Sequence, residues 1–379
     1  MCLNTGDAFL LNSLEAILND TFKNINLTVA CADPVQSLML YPEYKFITDF
    51  DKIFQKSQYK LLRYFDKAIR KLKIETLIFK IIPLNFNKKY FDNVKNADLI
   101  IMAAGGYLHE YYDYENKLVV INKILDINPN VIIFGQSIGP LNLTKYVQSV
   151  FNKLPLIMVR ESFSQNYLKV NIGNLSLGSD LAFYQKNIIQ YEKKEFGKRV
   201  IVNFRSWNNE FESIITKAIS LCNYLIDQRK FEVTFLSTCQ GIKEYVDDSL
   251  FYYEIIRGIN QKEKFKFKEG HFTPSHFMDT VKNYDIYIGM RLHGAIMAML
   301  CNLPAFIIGY ENKSHGIYND LGLKEYEINY SLSIEKWLLK INKFIDKREE
   351  VIILQNKAID NANVLLDHNI KLLKAKYCD

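Results

Sequence analysis

The sequence predicts an α/β protein built from two doubly wound, Rossmann-like parallel sheets facing a cleft. Three observations carry that expectation. Short apolar runs alternate with helical patterns from end to end, the mark of βα units feeding parallel sheets. The 379 residues amount to about two and a half typical domains of about 150. Between residues 182 and 199 the pattern loses periodicity and gathers charge before a new strand opens, as a linker would.

Taken in order, the elements begin with a helix over residues 8–18, apolar at Leu10, Leu11, Leu14, Ile17 and Leu18. Asp7, immediately before it, has the residue type and place of an N-cap. Strands follow at 98–103, 131–134 and 156–159, with helices at 117–125 and 144–151. Each strand is continuously apolar rather than alternating, which fits burial on both faces.

The second series runs strand 200–204, helix 213–226, strand 232–236, helices 245–256 and 275–283, then strands 286–288 and 305–308. Residues 262–268 alternate charge and aromatic, the pattern of a solvated edge strand. From 333 to 377 the pattern is long, charged and helical, expected to brace the domains. The expected division is 1–184, 198–340 and a helical segment 341–379.

Composition excludes several classes. With 49% apolar and 13% aromatic residues the chain buries enough surface to fold. A net charge of +6 is too diffuse for a dedicated nucleic-acid binder, but suits anionic small substrates or a peripheral membrane contact. Six cysteines lie scattered without CxxC or His-paired spacing, so neither a disulfide framework nor a zinc site is signalled and a reducing cytoplasm is expected. The longest apolar run, 295–309, is interrupted by Asn302 and Pro304, short of a membrane helix. The first residues lack the basic and apolar regions of a signal peptide. P-loop, GxGxxG, GxSxG and HExxH patterns are all missing.

The residues that could carry chemistry stand at strand ends. Strand 286–288 runs out at Gly289 and a small-residue helix begins near Leu292, placing Arg291 and His293 where free helix N–H groups favour an anion. Arginine offers a permanently charged fork and histidine exchanges protons near neutral pH. A surface ion pair for Arg291 and a plain helix-start role for His293 remain the alternatives. Lys313 follows strand 305–308 and Arg205 follows strand 200–204; a solvated lysine and an Arg205–Glu210 pair are the alternatives there. In the first half, Gly105 and Gly106, Gln136, and the pair Arg160 and Glu161 each follow a strand, together forming one wall of a cleft.

In their order and spacing, Asn4-Thr-Gly-Asp-Ala, Ala104-Gly-Gly-Tyr-Leu, Gly135-Gln-Ser-Ile-Gly-Pro, Val159-Arg-Glu-Ser, Ser179-Asp-Leu-Ala-Phe, Arg291-Leu-His-Gly-Ala and the stretch from Pro304 to Lys313 resemble the polysaccharide pyruvyl transferase family. The resemblance implies a fold like the GT-B glycosyltransferases and transfer of a pyruvyl unit from phosphoenolpyruvate, the co-substrate, to a sugar. It carries donor binding over to Arg205, Arg291, Leu292 and His293, with His293 as general acid or base. Lys313 would assist phosphate, and Asp7, Gly105, Gly106, Gln136, Arg160 and Glu161 would stand on the acceptor side.

No cofactor and no metal are required by this scheme. The acceptor would be a sugar or lipid-linked oligosaccharide, in the latter case at the inner face of a membrane. Three features depart from the family pattern: Tyr107 ends the glycine triplet, Glu311 stands where aspartate is frequent, and little chain precedes Asn4. The last suggests a start assigned too late or a sheet with an exposed neighbour. Two rival functions fit the same architecture: a nucleotide-sugar glycosyltransferase and a non-catalytic glycan-assembly protein.

Overall fold

The computed structural model describes residues 4–49, 88–188, 196–208, 210–240, 247–268 and 270–378. These form two compact units, one spanning Phe22–Gly178 and the other combining Ser179–Asp379 with the stretch that ends at Thr21.

In the first unit, β1 (Thr28–Cys31) and β2 (Lys45–Thr48) pair in parallel around the short helix α2 (Pro34–Leu40). That helix starts on a Pro at its first position, and Asp33 caps it by accepting from the Gln36 N–H at 3.0 Å. After α3 (Lys88–Asn96), the main parallel sheet places β5 (Val131–Ile138) beside β6 (Ile157–Val159) and then β7 (Leu175–Leu177). On its other side β5 takes first β3 (Ile100–Met102) and then β4 (Gly105–Leu108). Helices α4 (Tyr114–Leu125), α5 (Lys145–Lys153) and α6 (Ser162–Leu168) complete the βα pattern. Every residue of β5 is buried, which explains the unbroken apolar run that betrays it.

Strand β5 runs four residues beyond its expected end at Phe134. Gly135 adopts a left-handed φ of 76°, and the pairing with β6 shifts between Phe134 and Gln136. The glycine absorbs a bulge where a loop was expected, and the strand continues.

The second unit holds a six-stranded parallel sheet. Its strands are β8 (Arg199–Asn203), β9 (Glu232–Leu236), β10 (Phe265–Lys268), β11 (Ile286–Gly289), β12 (Ala305–Gly309) and β13 (Glu327–Asn329). The spatial order is β10-β9-β8-β11-β12-β13, so the winding reverses between β8 and β11. That is the strand order of a Rossmann fold, and ligands in such sheets collect at the carboxyl ends beside the reversal. The outermost strand, β10, buries Phe265 and exposes Lys266 and Lys268, the charged edge that the alternating pattern predicted. The expected strand start at Lys262 is instead a 3₁₀ turn, Lys262–Lys264.

Around this sheet lie α1 (Thr5–Thr21), α7 (Phe211–Asn223), α8 (Ser249–Ile255), α9 (Pro274–Val281), α10 (Leu292–Leu300), α11 (Asn312–Asp320), α12 (Ile334–Asp346) and the 30-residue α13 (Arg348–Tyr377). The long helix packs on α1, α10 and the 3₁₀ segment Leu181–Ile188, all of the same unit. Gln355 pins it to the start of β12 by bonds to both the N–H and the carbonyl of Ala305.

The division differs from the expected one: α1 belongs with the second sheet, and the C-terminal helical segment is part of that same unit rather than a separate one. The apolar face of α1, Phe9, Leu10, Leu14 and Ile17, is buried. Its first turn is tied to chain more than 200 residues away by Thr5 N–H to the Thr238 carbonyl (3.0 Å) and Thr5 Oγ1 to the Phe272 carbonyl (2.8 Å, a separation of 267 residues). The second unit likewise begins at Ser179, ahead of the expected linker, whose residues 189–195 lie outside those described. No described helix is long and apolar enough to cross a membrane.

Candidate active site

Three neighbouring strands of the second unit end in polar or aromatic groups. Arg205 stands two residues past β8, Arg291 two past β11, and Tyr310 directly after β12. Asn203 and Gly289 pair at the last rung, and the Met290 N–H extends the ladder to the Asn203 carbonyl at 2.9 Å. The two arginines therefore leave the sheet side by side at the winding reversal.

Arg291 is buried and makes a two-point contact with Asp248, Nε to Oδ2 at 3.1 Å and Nη2 to Oδ1 at 2.5 Å. Burial disfavours the charge on the guanidinium, but the adjacent Asp248 carboxylate more than restores it, holding the group above its ordinary value. The surface pair weighed for Arg291 is thus a buried one, and Nη1 is the edge it leaves for a ligand. Asp247 accepts the Ser249 N–H at 2.8 Å and so serves the first turn of α8, leaving Asp248 to turn inward.

Arg205 donates from Nη1 to the Tyr310 hydroxyl at 2.6 Å and stacks over the rings of Tyr310 (4.7 Å) and Trp207 (5.5 Å). A planar guanidinium held against two aromatic rings and a hydroxyl loses mobility. Cys239 reports how close these groups lie. Burial pushes its thiol up, the charges of Arg291 and Arg205 oppose that, and those of Asp248 and Asp7 reinforce it.

His293 occupies the first turn of α10, whose N-cap position is Arg291. Its Nε2 lies 3.4 Å from Oδ2 of the fully buried Asp180. The other side of the ring abuts α1: a Cβ added to Gly6 would stand 2.7 Å from Nδ1. Only glycine lets the amino end of α1 come this near, which gives the Asn-Thr-Gly-Asp segment its steric reason. Asp7 is not the cap of that helix. Asn4 takes the place, its Oδ1 accepting the Gly6 N–H at 3.0 Å and its carbonyl accepting from Ala8. Asp7 sits in the first turn, partly exposed, on the unit that carries Arg291 and His293.

Beneath α10, the buried Tyr287 of β11 donates its hydroxyl to the Arg291 carbonyl at 3.3 Å. A Cβ on Gly294 would overlap that hydroxyl and stand 3.0 Å from Cζ. Gly294→Ala should therefore destabilise the chain by about 1–3 kcal/mol through overpacking, although alanine in a helix is ordinarily favoured by about 1 kcal/mol. A urea unfolding midpoint equal to or above the parent's would refute this.

Leu292 is the buried first residue of α10, so what it can offer an anion is its backbone N–H. Lys313, in the first turn of α11, pairs with the Glu311 carboxylate. His315 Nδ1 lies 2.6 Å from the Glu327 carboxylate and Nε2 faces Asn329 at 3.2 Å, so α11 packs on β13 through these contacts. Among the described residues, no group of three His, Cys, Asp or Glu side chains is placed to hold a metal ion.

The remaining candidates belong to the first unit, and the structure corrects three of them. Arg160 and Glu161 do not line an open wall, because their side chains are each 1% exposed. Arg160 Nε donates to Ser137 Oγ at 2.8 Å, which in turn donates to Glu161 Oε2 at 2.8 Å; Ser164 also donates to Glu161. A charged pair satisfied on all sides holds the ends of β5 and β6 together. Gln136 lies within β5, fully buried, and donates to the Ala103 carbonyl. Gly105 and Gly106 are half-buried in β4, with Gly105 opposite Gln136.

Asp248, Asp180, Tyr287 and Tyr310 were not singled out from the sequence. Asp180 lies in the Ser179-Asp-Leu-Ala-Phe segment, and Tyr287 opens the Tyr-Ile-Gly-Met-Arg run. Nothing local marks Asp248, which reads as one acid in the first turn of the expected helix 245–256.

Comparison with known proteins agrees with this picture. The chain is 25% identical over 313 residues to the amylovoran biosynthesis protein AmsJ of Erwinia amylovora, covering 73% of this chain and 72% of that protein. In fold it resembles the UDP-GlcNAc 2-epimerase of Neisseria meningitidis bound to UDP-GlcNAc, with a TM-score of 0.56, 11% identity and coverage of 97% and 96% of the two chains. It also resembles Arabidopsis thaliana UGT89C1 complexed with UDP-L-rhamnose, with a TM-score of 0.52, 11% identity and coverage of 99% and 95%. The architecture is accordingly GT-B-like, with two Rossmann-like domains. The sequence profile of the polysaccharide pyruvyl transferases matches residues 4–312, a span that takes in Asn4, Arg205, Arg291 and His293, and the chain belongs to that family.

Proposed function

We propose that the protein transfers the pyruvyl unit of phosphoenolpyruvate to hydroxyls of a sugar in a cell-surface polysaccharide or its precursor, closing a pyruvate ketal and releasing phosphate. The observation that supports this most is the set of side chains at the winding reversal: two buried guanidiniums beside an imidazole that has a carboxylate behind it. Phosphoenolpyruvate is small and carries two anionic groups joined by an enol carbon. Its recognition calls for charge on both sides and a proton donor between them.

In this scheme His293 protonates the methylene carbon, and the electron pair of the C=C bond forms the new C–H bond. The adjacent carbon becomes cationic, a sugar hydroxyl adds to it, and phosphate departs with the C–O bonding pair. A second hydroxyl then closes the ketal. One hydroxyl proton returns to the imidazole and the other leaves with phosphate. Arg291 and Arg205 hold carboxylate and phosphate, and Lys313 assists the departing phosphate. No cofactor beyond phosphoenolpyruvate takes part, and the acceptor is a free or lipid-linked glycan.

Two measurements test the assignment. Phosphate release should require phosphoenolpyruvate and a sugar acceptor together. Phosphoenolpyruvate at 100 times its Kd should also stabilise the fold by about 2.7 kcal/mol, by mass action. UDP, the handle of a nucleotide-sugar donor, should leave the melting temperature where it was. Stabilisation by UDP and none by phosphoenolpyruvate would instead establish a glycosyltransferase.

A further inference from the structure

We propose that Asp180 is the positioning residue for His293, turning Nε2 inward and leaving Nδ1 as the nitrogen that exchanges the proton. The inference rests on the reading of His293 as proton donor and goes beyond it by naming the residue and the atom.

Asp180 is wholly buried, and its Oδ1 is fixed by the Ala182 N–H at 3.0 Å. Its Oδ2 is thereby aimed at His293 Nε2 across 3.4 Å, the separation of an ion pair. That nitrogen is closed to solvent and completes no hydrogen bond among the described residues, and the Asp180 carboxylate is the charged group that faces it. In a neutral imidazole one nitrogen holds the hydrogen and the other a lone pair, and the neighbour of one decides the state of both. A carboxylate at Nε2 keeps the hydrogen there, so the basic lone pair is at Nδ1. Nδ1 lies against Gly6, at the amino end of α1, where helix N–H groups favour an anion.

When the ring is charged, both nitrogens carry hydrogen and Asp180 balances the imidazolium. Delivery to the methylene carbon breaks the Nδ1–H bond and leaves its electron pair on Nδ1. The same nitrogen later accepts the hydroxyl proton, while Nε2–H stays with Asp180 throughout. Separations of this kind are often longer without substrate and tighten in the reacting complex. Asp180 itself touches no substrate.

The test is Asp180→Asn, which keeps the volume and removes the charge. We expect kcat to fall about 10- to 100-fold, the usual cost of losing such an outer partner, with the KM for phosphoenolpyruvate changed less than about 3-fold. A loss confined to KM, or an unchanged kcat, would overturn the proposal. Nitrogen-15 NMR of the wild-type imidazole provides a readout independent of turnover and of the variant's folding. Neutral His293 should carry its hydrogen on Nε2, and a predominant Nδ1–H form would also overturn it. If the wild-type protein released no phosphate from phosphoenolpyruvate, the proposed reaction would fall, and the tautomer would still decide the pairing.

Discussion

His293→Ala should lower turnover with phosphoenolpyruvate and a sugar acceptor roughly 10²- to 10⁴-fold, the usual worth of a positioned acid or base. The reason is chemical. An enol carbon is a poor base, and the cation formed when it takes a proton is costly unless donor and anion clamps are in place together. Arg205 and Arg291 would remain in the variant, so donor affinity should change little and the loss should fall on kcat. His293→Gln retains the ring's approximate bulk between Gly6 and Asp180 and separates chemistry from packing. Both variants should give the parental circular dichroism spectrum. Turnover within a few-fold of wild type in either folded variant would remove His293 from the mechanism.

How far the sequence alone reaches depends on the range of the interaction. Strand β9 lies at 232–236 as expected, and β8, β11 and β12 fall within one residue of their expected ends, because burial on both faces imposes an unbroken apolar run. Strands β7 (Leu-Ser-Leu) and β13 (Glu-Ile-Asn) escape notice because polar residues interrupt the apolar run. The pair β1 (Thr-Val-Ala-Cys) and β2 (Lys-Phe-Ile-Thr) is likewise only partly buried and opens on polar residues, so no unbroken apolar run spans either strand.

Site residues divide along the same line. Arg205, Arg291 and His293 are legible because a strand end followed by a helix start is a local pattern. Their partners are not, since Asp248 reaches Arg291 across 43 residues and Asp180 is farther still from His293. The placement of α1 on the second unit is likewise decided by Thr238 and Phe272, which no local pattern connects to it. Arg160 and Glu161 mislead for the opposite reason: they sit at a strand end, yet their charges are spent on Ser137, Ser164 and each other.

Asp248→Ala should be the most destabilising single change at the site, by about 3–5 kcal/mol, because it strands a charge in the interior. Asp248 is wholly buried and Arg291 nearly so, and the carboxylate is what sustains the guanidinium's charge against burial. An arginine cannot escape by losing its proton within the accessible pH range. The cost must then appear as unfolding or as movement of Arg291 toward water. In a domain of this size each kcal/mol moves Tm by about 2–4 °C, so a fall on the order of 10 °C is expected. The double variant Asp248→Leu with Arg291→Met replaces the pair by apolar groups of similar bulk and should recover most of the stability. It should not recover stabilisation by phosphoenolpyruvate, since the anion clamp is gone. If Asp248→Ala melts with the wild type, the charge of Arg291 is balanced by another group and the pair does not hold it. If the double variant still responds to phosphoenolpyruvate, Arg291 is part of the fold and not of the donor site.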